Sequence, residues 1–164
     1  MNNTKFTIHH SPLPKPLIMD ITTPVSKIMT KNLVIATPNM TLDKVKTLFD
    51  THAFHHIPVV EKDELKGIIS RIDLFRVSHC VDLFHSKSNE ELNNRLFKSL
   101  LAEEVMSPNT VVVSPDDTVS HAAALFHHNK YHALPVVEKG KLVGILTTYD
   151  LIAYAFESQP IMVS

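Results

Sequence analysis

Residues 131–151 read YHALPVVEKGKLVGILTTYDL, and residues 54–74 read FHHIPVVEKDELKGIISRIDL. Setting Pro135 on Pro58 gives an offset of 77 residues, which holds without a gap from Met29/Met106 to Leu74/Leu151. Pro38 then meets Pro115, Thr41 meets Thr118, Phe49 meets Phe126, Gly67 meets Gly144 and Asp73 meets Asp150. Register of this length is an internal duplication.

Both copies share one rhythm. A β-branched run, Leu33–Ala36 or Thr110–Val113, ends at a Pro-containing turn. Thr41 and Thr118 follow as N-caps of helices whose apolar positions recur at helical spacing: Leu42, Val45, Leu48 and Phe49, against Val119, Ala122, Ala123 and Phe126. Next comes a hairpin, IPVV–EKDE–LKGII or LPVV–EKGK–LVGIL, with Gly140 as a permissive turn residue where the first copy uses Asp63. A second helix enters at Ser70 or Thr147. The predicted order is β-α-β-β-α, twice, an α/β (α+β) fold. A unit of about 50 residues buries little core alone, so the copies are expected to pack on each other.

Around the copies, residues 1–24, with prolines at 12, 14, 16 and 24, read as an extended arm. Units are expected at 25–77 and 102–158, joined by a helical connector at 78–101 with Leu92, Leu96 and Leu100 in helical spacing, and followed by a tail at 159–164. The net charge of −1 offers no basic field, so nucleic acid is not the expected partner. No run of about 18 apolar residues predicts a membrane helix, and MNNTKFTIHHSPLPKPL lacks the apolar region of a signal peptide. Cys80, the single cysteine, excludes an internal disulfide; it reads as a buried thiol and fits a reducing cytoplasm.

Chemistry concentrates in GIISRID (67–73) and GILTTYD (144–150). Ser70-x-x-Asp73 and Thr147-x-x-Asp150 are capping boxes, and Gly relieves crowding within a strand. The same residues also suit a nucleotide. A helix N-terminus with a hydroxyl favours phosphate, an Asp one turn in accepts from ribose hydroxyls, and Gly admits a ligand close to the backbone.

Taken whole, the duplicated phrase H-x-[IL]-P-V-V-E-K … G-h-h-[ST]-x-x-D-L resembles a tandem pair of CBS (cystathionine-β-synthase) domains over about residues 25–157. The resemblance implies a Bateman module: two repeats packed as a pseudo-twofold pair. It also implies AMP, ADP, ATP or S-adenosylmethionine as ligand, bound in composite clefts. One cleft would join Ser70, Arg71 and Asp73 to Val111, Val112, His132 and Ala133. Its twin would join Thr147, Thr148 and Asp150 to Val34, Ile35, His55 and His56. Arg71 suits a bidentate phosphate contact and Thr148 does not.

No activated nucleophile, acid–base pair or open metal site stands out, so the expectation is a regulatory module rather than an enzyme. It would signal to an effector protein and pair as a homodimer through the helices beginning LFRV (74–77) and LIAYAF (151–156). The rival readings are a structural dimerisation module with empty clefts, and a metal- or pH-responsive histidine module. The histidines 52, 55 and 56 and their counterparts 127, 128 and 132 cluster, but no closed tetrahedral ligand set accompanies them. The expected metal is therefore none, and no covalent cofactor is expected.

Overall fold

The structure, a computed structural model, describes residues 19–82, 89–129 and 131–157. Most of the N-terminal arm, part of the connector, the C-terminal tail and the Cys80 side chain lie outside the described residues. A short 3-10 turn at Val25–Lys27 comes first. Then follow α1 (Leu42–Thr51), β1 (His56–Glu61), β2 (Glu64–Ser70), α2 (Arg71–Asp82), α3 (Asn89–Ser99), α4 (Ala102–Val105), α5 (Val119–Asn129), β3 (Ala133–Glu138), β4 (Lys141–Thr147) and α6 (Thr148–Glu157). The four strands form one sheet in the order β1-β2-β4-β3.

Each hairpin is antiparallel, and the registers match: Val59 faces Gly67 and Val136 faces Gly144, with a bulge after each of these valines. The turns carry positive φ at both central residues, 52° and 68° at Lys62 and Asp63, and 49° and 82° at Lys139 and Gly140. Two left-handed residues in a two-residue loop match the right-handed strand twist, so Asp63 tolerates what Gly140 adopts freely. The hairpins meet through Glu64 opposite Lys141 and through the Leu142 N–H, which donates to Asp63 O at 3.0 Å.

The first expected strand of each copy is reduced to a single parallel rung. Ala36 N–H donates to Pro58 O at 3.0 Å and Ala36 O accepts from Val60 N–H at 2.8 Å; Val113 repeats this with Pro135 and Val137. Prolines explain the truncation. Extending the ladder backward requires an N–H at Pro58 or Pro135, and extending it forward requires one at Pro38 or Pro115; none has it. The β-branched run marked the segment correctly, but not its length.

Packing crosses between the copies. Val25 is fully buried in the second core, with Val113, Ala122, Phe126, Leu134, Val136 and Leu146. Ala102, its equivalent at the offset of 77, is buried in the first core with Leu42, Val45, Phe49, Ile57, Ile69 and Phe97. The hydrogen bonds follow the same exchange. Leu42 N–H donates to Leu100 O and Val119 N–H to Thr23 O; Ala102 N–H donates to Met40 O and Val25 N–H to Asp117 O. Thr30 exchanges two backbone bonds with Ile145, and Ser107 does so with Ile68. Each copy's leading segment thus docks on the other copy, which is the pseudo-twofold relation written in bonds. Thr118 accepts from His121 N–H at 3.2 Å as an N-cap should, whereas Thr41 makes no side-chain cap bond.

Candidate ligand cleft

β2 and β4 each run directly into a helix, and both capping boxes form as expected. Asp73 Oδ2 accepts from Ser70 N–H at 2.8 Å and from Ser70 Oγ at 2.6 Å. Asp150 Oδ2 accepts from Thr147 N–H at 2.7 Å and Thr147 Oγ1 at 2.6 Å. Each hydroxyl accepts in return from the Asp N–H at 3.3 Å. One carboxylate oxygen per box is committed to the helix. The other Oδ1 lies 3.3 Å from Thr30 Oγ1 in Asp150, and 3.6 Å from the exposed Arg76 guanidinium in Asp73.

Between these helix starts lies a cleft of about 860 Å³, within the size of ordinary small-molecule sites, roughly 300–1,000 Å³. Its lining includes Val34, His55, His56, Thr147, Thr148 and Asp150, all of the second expected set except Ile35, which is exposed elsewhere. Ser70, Arg71 and His132 of the first set line the same cleft; Asp73, Val111, Val112 and Ala133 do not. Reading from sequence missed Thr30, Asn32, Leu33, Phe54, Ile72, Ile145 and Tyr149, which also line it. Thr30 and Asn32 carried a usable signal, since Ser107 and Asn109 stand at their offset positions.

Arg71 is engaged at the end of α1. Its Nε donates to Phe54 O at 3.0 Å and its Nη2 to His52 O at 2.8 Å and to Phe49 O, while the guanidinium lies 5.2 Å from the Phe49 ring centroid. Phe49 lies in the last turn of α1, where carbonyls lack an intrahelical partner, and His52 and Phe54 follow the helix end. The glycines also serve packing. A Cβ on Gly67 would stand 2.7 Å from Ser107 O, and one on Gly144 would stand 2.5 Å from Met29 Sδ. Both are pressed by the docked leading segments, and neither lines the cleft.

His56 is half-buried at the start of β1. Burial holds its pKa below the usual 6.5, the neighbouring His55 and His132 lower it further, and Asp73 opposes them. His55 and His132 are exposed at the mouth. Among the described residues, no three His, Cys, Asp or Glu side chains are grouped to hold a metal ion. Among the same residues no helix is long and apolar enough to cross a membrane.

Fold, duplication and paired capping boxes together describe a two-repeat module with a cleft between its helix starts, and comparison with known proteins supplies its family. The CBS domain family matches residues 25–79 and 102–157, so this chain belongs to the CBS domain family as a tandem pair. A CBS domain-containing protein of Dictyostelium discoideum is 31% identical over 130 residues, covering 78% of this chain and 88% of that protein. An uncharacterized protein of Methanocaldococcus jannaschii is 31% identical over 140 residues, 83% of this chain but only 29% of that protein's length. Among solved structures, CBSX2 in complex with AMP superimposes with a TM-score of 0.68 at 26% identity, covering 84% of this chain and 98% of that one.

Proposed function

We propose that the chain is a regulatory module that binds an adenosyl ligand in the cleft at Asp150 and signals to a partner protein. The observation that carries this reading is the convergence of both helix starts and of histidines from both repeats on one cavity of small-molecule size. Asp150 presents its Oδ1 toward ribose while Oδ2 keeps the helix capped. Val34 and Ile145 offer apolar surface to the base. The AMP complex of the related CBSX2 supports the ligand class. In this reading the chain catalyses nothing: the Ser70 and Thr147 hydroxyls donate to their own capping carboxylates, which hold them in the helix caps.

Self-association belongs to the same reading. Tyr149, Ile152 and Phe156 form an exposed apolar stripe along α6, and Ile72 and Phe75 are likewise exposed on α2. We assign these helices to a twofold homodimer interface; light scattering of wild type and of Phe156→Glu is expected to show a dimer and a monomer, respectively. The ligand reading is tested by calorimetric titration of AMP, ATP and S-adenosylmethionine into the purified chain. Binding of at least one is expected. Dimers that bind none of them would instead favour a structural module.

A further inference from the structure

We infer that residues 20–23 form a releasable strap, clamped by Tyr154 and coupled through α6 to the cleft, so that occupancy of the cleft loosens the root of the N-terminal arm. The inference rests on the signalling reading above and names the segment that moves.

The strap caps α5. Val119 N–H donates to Thr23 O and Ser120 N–H to Ile21 O, both at 2.9 Å. These are the first two amides of α5, which a helix start leaves without an intrahelical partner. Asp20 shapes the strap: its Oδ1 accepts from Thr22 N–H at 3.0 Å and from Thr22 Oγ1 at 2.6 Å. On the α6 side, the Tyr154 hydroxyl donates to Asp20 O at 3.3 Å and lies 2.7 Å from Thr23 Oγ1. The first repeat builds the same place differently. At the offset of 77, Phe97, Leu100 and Val77 stand for Asp20, Thr23 and Tyr154. Leu42 N–H donates to Leu100 O at 3.0 Å, as Val119 N–H does to Thr23 O. There, however, Phe97 is buried, and Leu100 and Val77 pack against the first core. An apolar clamp loses its burial when it opens. Hydrogen bonds at a partly exposed strap are exchanged for bonds to water at small net cost. Of the two equivalent clamps, the one at residues 20–23 is therefore the one that opens.

One face of α6 holds both ends of the leading segment. Asp150 and Tyr154 stand at i and i+4, one turn apart on that face. Asp150 Oδ1 accepts from Thr30 Oγ1 at 3.3 Å, while Tyr154 holds Thr23 and Asp20. Thr30 and Asp150 both line the cleft, and Tyr154 lies outside its lining. A ligand hydroxyl that takes Asp150 Oδ1 removes the Thr30 bond and with it the side-chain clamp at the cleft end. Tyr154 is then the remaining side-chain clamp on this face, and the strap opens more readily.

The experiment is hydrogen exchange read by mass spectrometry on the full chain, at the Val119 and Ser120 amides, with the Leu42 amide of the first repeat as reference. Tyr154→Phe keeps the ring and removes the hydroxyl. It is expected to speed exchange at Val119 and Ser120 about fivefold, the size of one net hydrogen bond, and to leave Leu42 unchanged. Thr30→Val alters only the cleft end of the segment, yet is expected to speed the same two amides about twofold. Saturating AMP is expected to speed them in wild type and to add nothing in Thr30→Val. Equal acceleration at Leu42 in Tyr154→Phe, or no acceleration in Thr30→Val, overturns the inference and leaves the ligand reading standing. AMP that binds in calorimetry without changing the two amides does the same. If AMP does not bind, the coupling to occupancy falls with the ligand reading, and the two substitutions alone decide whether the clamp exists.

Discussion

The two repeats build the same capping box with the same bonds, Asp73 on Ser70 and Asp150 on Thr147, and then part company one residue later. Arg71 opens α2 and reaches back to three carbonyls at the end of α1. Thr148, at the equivalent place in α6, has no side chain long enough to do so. The glycines differ too: Gly67 is pressed by a backbone carbonyl of Ser107, Gly144 by the flexible thioether of Met29. Duplication has therefore preserved the frame of each unit while the contacts around it have become specific to each copy. Three paired substitutions and one single substitution test how far that divergence goes.

The largest difference is expected at the glycines. A methyl group at Gly67 meets Ser107 O, which is held by its bond from Ile68 N–H at 3.1 Å and cannot step aside without losing it. Gly67→Ala is expected to cost about 1–3 kcal/mol, the range for overpacking a closed core. At Gly144 the obstacle is a methionine side chain with three rotatable bonds, so Gly144→Ala is expected to cost about 1 kcal/mol or less. Urea denaturation of both variants measures the pair. Equal losses would mean that Met29 is as rigid as a backbone carbonyl.

Arg71 comes next. Removing it strands the carbonyls of Phe49, His52 and Phe54, and bonds to charged groups are worth about 1.5–3 kcal/mol where they are not fully solvated. Arg71 is only partly buried, which places Arg71→Gln near the lower end. Thr148→Ala is expected to change stability by about 0.5 kcal/mol or less. Chemical denaturation should therefore separate two positions that the repeat aligns. Equal melting would mean that α1 ends without its cap.

These contrasts also mark what was legible in the sequence. The hairpins were, because EKDE and EKGK each force a tight turn at a fixed place between valine-rich runs. So were the capping boxes, because [ST]-x-x-D is a local signal completed within one helical turn. The exchange of leading segments was not. Val25 and Ala102 each see a core built from the same motif, and an apolar residue carries no mark of which copy it enters. Arg71 read as a phosphate ligand because its charge is evident in the sequence, whereas the carbonyls it satisfies come together only when α1 ends beside α2. The cavity itself was legible in part: of the residues the motifs single out, Asp150, His55 and His56 line it and Ile35 does not. An extended run tells which side chains alternate, not where the run leaves the cavity.

The pH dependence of stability sharpens the comparison at His56, whose equivalent is Ala133. The pKa of His56 in the folded protein lies below 6.5, so the unfolded chain holds more protons in the window just under that value. Stability contributed by neutral His56 is present above pH 6.5 and is lost as pH falls toward the folded pKa. Wild type is expected to lose more melting temperature than His56→Gln between pH 7.5 and 5.5. Parallel curves would mean that the imidazole is as well solvated when folded as when unfolded.

The smallest expected difference in stability between paired variants, and the most informative about function, belongs to the two aspartates. Asp→Asn keeps an acceptor oxygen in each capping box, so Asp73→Asn and Asp150→Asn should each cost about 1 kcal/mol or less. Their effects on ligand should diverge. Asp150 lines the cleft and turns its second oxygen toward Thr30, whereas Asp73 lies outside the lining and turns its second oxygen toward Arg76. Replacing a charge-assisted bond to ribose by a neutral one weakens binding by about 1–2 kcal/mol, or about tenfold. Asp150→Asn is expected to show that loss in calorimetry, and Asp73→Asn to bind at this cleft within about twofold of wild type. Should both variants lose one of two separate binding events, the pseudo-twofold cleft at Asp73 is also a working site, and the divergence seen at Arg71 and Gly67 stops short of the ligand. Should Asp73→Asn alone weaken binding, the adenosyl site belongs to the other half of the module, and the assignment of Asp150 to the ribose falls.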